Sequence, residues 1–216
     1  MLGSDHFEPQ QAQIAPQVPG ADDLRWSYTT YLIHRKWAQL FGATFFVFNP
    51  HEQQIMYSRL KAFKLKEDIR VFTGEDMTTE VLNIKARNIL DFAATFDVVD
   101  SATGEKVGAL RRKAMKSMFR DEWLIFDAYD REVGKIQEEN LAFALIRRFI
   151  DFAAFFIPQE FNGTYNGQHV CDLKQNRNPF LTKMVIDFTP DSGRTFDRRL
   201  GVAAAILLCA IDGKQR

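Results

Sequence analysis

The segment Leu200–Ile211 constrains this chain more than any other, because it runs twelve residues without a polar side chain. Asp197, a helix-capping residue type, precedes it and Asp212-Gly213 follows, so it reads as a helix with defined ends. A helix with no polar stripe must be enclosed on every side. Twelve residues fall short of the roughly 20 that cross a bilayer, so protein has to supply the enclosure. From Phe196 to Asp212 the rod would be about 25 Å long, and Gly201, Ala203, Ala204, Ala205 and Ala210 keep it thin.

The rest of the sequence supplies strands. Phe96–Asp100, a turn at 101–105 and a return strand from Lys106 to Arg111 form one apolar hairpin; Trp123–Asp127, a turn at 128–132 and Val133–Ile136 form another. Both copies end the first strand on an aspartate and carry a Val-Gly pair in the second, Val107-Gly108 and Val133-Gly134, as a duplicated unit would. Glycine inside a return strand allows a bulge, a bend or the close approach of another backbone. Val47 to Tyr57 and Tyr165 to Leu173 look like weaker copies. Val81–Lys85, Ile89–Phe92 and Met184–Phe188 alternate as half-buried strands do. At 216 residues a barrel, a sandwich or two small domains would each be possible. The buried helix decides among them, because a closed antiparallel barrel of about a dozen strands leaves an interior wide enough for a helix.

Residues 1–23 contain Pro9, Pro16, Pro19 and Gly20 without apolar periodicity, and we expect a flexible arm there, with residues 24–216 forming one barrel domain. No basic, then apolar, leader opens the chain. The apolar segment Leu141–Ile157 is interrupted by Arg147, Arg148 and Asp151, which would be costly in lipid and suit a helix packed on the barrel. The expectation is a cytoplasmic protein with no transmembrane span, at most peripheral to a membrane. Two separated cysteines, Cys171 and Cys209, agree with a reducing compartment.

Acidic and basic residues balance at 28 each, which argues against non-specific nucleic-acid binding. Any anion site must then be local, and the densest run of cations is Arg111, Arg112 and Lys113 with Lys116 and Arg120. Near an anionic surface each would contribute about 1 kcal/mol. Lys61, Lys64 and Lys66 form a second basic edge. His6, His34, His51 and His169 show no metal-ligand spacing, so no zinc site and no cofactor is expected. No phosphate loop or nucleophile elbow occurs. In His169-Val170-Cys171, strand alternation would put imidazole and thiol on one face, an arrangement we read as structural. The sequence thus favours a non-enzymatic module that binds an anionic lipid head group or another small anion through Arg111, Arg112, Lys113, Lys116 and Arg120, with a protein-interaction or structural module without lipid binding as the alternative.

The paired hairpins at 96–111 and 123–137, the turn Asn178-Pro179-Phe180 and the ending from Asp197-Arg198-Arg199 to Asp212-Gly213 resemble the tubby C-terminal-like superfamily. Within it the likeness is to the phospholipid scramblase and LURP-one-related group, over roughly residues 25–216. The resemblance implies a twelve-stranded barrel around the helix and, by the tubby branch, binding of phosphoinositide head groups through basic surface residues. Scramblase-like members imply calcium-dependent lipid movement. This chain lacks their cysteine-rich palmitoylation segment, and Asp187, Asp191, Ser192 and Asp197 do not complete an EF-hand-like loop, so turn and capping roles are expected of them.

Overall fold

The computed structural model describes residues 23–38, 42–61, 68–87, 94–113, 122–139, 159–177 and 181–212. The strands are β1 (Thr30–Ala38), β2 (Gly42–Phe48), β3 (Gln54–Lys61), β4 (Ile69–Phe72), β5 (Glu80–Ala86) and β6 (Thr95–Asp100), then β7 (Lys106–Arg112), β8 (Glu122–Phe126), β9 (Glu132–Glu138), β10 (Gln159–Tyr165), β11 (Gln168–Arg177) and β12 (Leu181–Asp187). Each pairs antiparallel with its sequence neighbours, and β12 pairs with β1 to close the barrel. The helix α1 (Arg198–Asp212) follows, and every residue from Arg198 to Ala210 is buried.

The expected architecture is therefore the observed one. Inward residues of the strands, among them Phe45, Met56, Leu82, Ile125, Phe161 and Ile186, join Val202, Ile206 and Leu207 of α1 in one core. At Gly201 an added Cβ would lie 2.4 Å from Cζ of Phe188, so the thin face of the rod meets the wall there. The arm expected at 1–23 falls, apart from Asp23, outside the described residues, as do Ile89–Phe92, the 141–157 segment and Asn178-Pro179-Phe180. Asp23 caps a 3-10 turn, Leu24–Trp26, that leads into β1.

The repeat goes further than two strong copies. In all five hairpins from β2–β3 to β10–β11, one residue of the return strand is left without a register partner: Ile55, Val81, Val107, Val133 and Val170. Each is β-branched and apolar, and the first four stand 26 residues apart. A bulge bends its strand and increases the local twist, which is what closing a sheet around a rod requires. The five bulges ring the end of the barrel where α1 begins. At two of them the next residue is the glycine of the Val-Gly pair, and the close approach expected there is present. An added Cβ would lie 2.4 Å from the Phe126 carbonyl oxygen at Gly108 and 2.0 Å from that of Thr164 at Gly134. The turns match as well: Asp100 accepts from the backbone N–H of Ala102 and Thr103, Asp127 from those of Tyr129 and Arg131, and Asn49 from those of His51 and Gln53.

Candidate functional site on the barrel wall

The end where α1 begins is sealed by charge. Arg198 donates to Asp191 at 2.6 Å, with both side chains almost wholly buried, and its guanidinium lies 4.3 Å from the Phe188 ring centroid. Arg199 bridges Asp100 at 2.7 Å and Asp197 at 2.6 Å. Asp191 also accepts from the backbone N–H groups of Thr195 and Phe196. Burial pushes the Asp191 carboxyl up, but these donors and Arg198 outweigh it and hold the group below the usual carboxylate range; Asp100 is lowered by the same balance, with Arg199 as its main donor. Asp197 accepts from the Arg199 N–H at the first turn of α1, the expected cap. These acids are committed to turns and ion pairs. At the other end Arg35 donates to the Cys209 carbonyl at 2.6 Å, meeting one of the free carbonyls of the last turn of α1.

Of the run of cations singled out from the sequence, the described members Arg111, Arg112 and Lys113 lie at the end of β7 toward that second end. Arg111 faces outward, 4.6 Å from the Phe126 ring centroid, and Lys113 pairs with Glu122 at 3.0 Å. Arg112 occupies the opposite register, across from the buried Trp123, and is engaged there. Alternation thus separates consecutive strand residues onto two faces. Lys116 and Arg120 lie outside the described residues, as do Lys64 and Lys66 and the side chain of Lys61.

Six strands round the barrel, the wall formed by β12, β1, β2 and β3 carries a different set. His34 on β1 stands between its register partners Lys183 of β12 and Phe46 of β2. Lys36 stands across from Thr44, which in turn pairs with Arg59 of β3. Lys36, Lys183 and Arg59 are exposed, and among the described residues none of them forms an ion pair with a carboxylate. Lys36 Nζ lies 4.8 Å over the Phe46 ring, while the His34 and Phe48 ring centroids are 4.9 Å apart. Leu32 and the exposed Val185, partners across β1 and β12, continue the strip as an apolar patch. On the adjoining wall, Glu160 pairs with Lys174 at 2.6 Å. These wall residues escaped the sequence reading because they come from separate strands. Their only local signal is the Lys36 and His34 alternation within β1.

His169 and Cys171 do not share a face. The bulge at Val170 shifts the alternation, so His169 is half-exposed and hydrogen-bonds Asp172 at 2.7 Å, while Cys171 is fully buried beside Gly163 and burial pushes its thiol up. Asn162, which opens the glycosylation-type triplet Asn162-Gly163-Thr164, lies within β10 with its side-chain oxygen buried. Among the described residues no helix is long and apolar enough to cross a membrane, and no group of three or more potential metal ligands occurs.

The fold and this wall define a class: a helix-filled antiparallel barrel with cations on its outer strands and a charge-sealed end. The family model for LURP-one-related proteins matches residues 32–207, and the chain belongs to the LURP-one-related family. No curated protein and no solved structure matches it significantly.

Proposed function

We propose that this LURP-one-related barrel is a non-enzymatic module that binds anionic phospholipid head groups on its outer wall, a scramblase-like or tubby-like use of the fold. One observation carries the reading: Lys36, Lys183 and Arg59 are exposed around Phe46 and Phe48, and among the described residues none of them forms an ion pair with a carboxylate. Three such cations near an anionic bilayer contribute about 3 kcal/mol, on the order of a hundredfold in affinity. Aromatic rings and the Leu32–Val185 patch suit the boundary between head groups and acyl chains.

The sequence-derived site, Arg111, Arg112 and Lys113 with Lys116 and Arg120, stands as a second location for the same function. Arg111, 4.6 Å from the Phe126 ring centroid, favours it. Arg111 on β7 and Lys36 on β1 stand six strands apart on opposite sides of the barrel, so a flat bilayer resting against the wall engages one of them. Co-sedimentation with phosphatidylcholine vesicles, with and without phosphoinositide, separates the cases. We expect Lys36→Glu with Lys183→Glu to reduce binding at least tenfold, about 1 kcal/mol per reversed cation, and Arg111→Glu with Arg112→Glu to leave it nearly unchanged. The opposite pattern moves the site to β7. A wild-type protein that ignores anionic vesicles and forms a stoichiometric complex with another protein supports the interaction-module alternative.

A further inference from the structure

We infer that His34 makes the affinity of this wall for phosphate-bearing head groups depend on pH, by taking up a proton as the anion settles between Lys36 and Lys183. The inference rests on the lipid reading above and adds its regulation.

The geometry is specific to this histidine. Its ring packs on Phe48, and Nε2 is buried without a hydrogen-bond partner, so a proton there has nothing in the protein to donate to. Among the described residues, the groups facing it across the strands are cationic or neutral. Lys183 comes from β12 and Lys36 from its own strand; β2 contributes Thr44, Phe46 and Phe48. One strand further out stand Arg59 and the buried Tyr57 of β3, and Asn176 and Lys174 of β11, the last already paired with Glu160. Asp187 and Asp172 lie toward the other end of their strands, and Asp172 holds His169. In the free protein, burial first, then Lys183 and Lys36, hold the imidazole below its ordinary value. A bound phosphate offsets both ammonium charges and adds one of opposite sign, so the bound protein holds its proton at higher pH than the free one. Linkage then fixes the direction. Affinity rises as pH falls through the bound-state value and levels off below the free-state value.

The probe is a vesicle of phosphatidylcholine with phosphatidylglycerol, whose phosphodiester keeps its charge across the range; a phosphomonoester lipid would titrate near pH 6 itself. Binding is measured from pH 8 to pH 5 for the full chain and for His34→Gln. We expect the wild-type affinity to rise about threefold to tenfold over this range, a tenfold change matching one unit of displacement in the histidine, and the variant to bind at pH 8 but lose most of the rise. Equal pH slopes in the two proteins overturn the inference and leave the lipid reading standing. Absence of wild-type binding at every pH overturns both. A second measurement needs no variant to fold: the His34 ring-proton titration followed by NMR, with and without phosphatidylglycerol bicelles. A midpoint that moves up with lipid supports the proton uptake, and one that stays or moves down overturns it.

Discussion

Two charged regions of this barrel use their charges in opposite ways. At the end where α1 begins, Arg198 and Arg199 are buried and each meets a carboxylate within 2.7 Å. On the wall, Lys36, Lys183 and Arg59 are exposed and meet none among the described residues. Charges removed from water have to be compensated inside the fold, since an unpaired one costs several kcal/mol. Charges left in water need no partner for folding, so a cluster of one sign is free for an external anion.

That contrast can be broken most forcefully at the sealed end. Asp191→Ala strands Arg198 in the core and should cost about 3–5 kcal/mol, read as a loss of denaturant midpoint. The same carboxylates set the acid limit. Because Asp191 and Asp100 are held below the unfolded-state value near 3.9, their stabilisation is complete above it and lost as pH falls through the lower folded-state values. The wild type should therefore lose stability as pH falls below about 4, and the variant should show less of that dependence. Next in size, Gly134→Ala pushes a methyl group into the Thr164 carbonyl and should cost about 3 kcal/mol or prevent folding. Gly104→Ala has open space around it, carries only the strain of φ +74°, and should cost about 1 kcal/mol, read by thermal melting. At the bottom of the scale, Lys183→Ala should change stability by less than about 0.5 kcal/mol. A larger loss would mean that this lysine serves the fold, and the contrast would fail.

What could be read from the sequence was local. The apolar helix, the aspartate turns and the Val-Gly pairs each announce themselves within a few residues, and together they imply the barrel. The full series of bulges was harder to see. Ile55, Val81, Val107 and Val133 recur at 26 residues, yet the residues after them, Met56, Leu82, Gly108 and Gly134, differ in size, and 37 residues separate Val133 from Val170. A bulge also defeats strict alternation, which is why the His169 and Cys171 arrangement came out wrong. Cations misled in a related way. Arg111 and Arg112 are adjacent in the chain and face opposite sides, whereas Lys36, Arg59 and Lys183 are distant in the chain and share one wall.

In chain order the helix comes after all twelve strands. A nascent polypeptide therefore displays the whole lining of its cylinder before the piece that fills it has been made, and no earlier fragment can reach a dry interior. Assembly must wait and then proceed in one late step, with the axle and the seam between the first and last strands arriving together. Until then the greasy lining invites wrong partners, and such a chain would depend on chaperones more than a barrel that fills itself strand by strand.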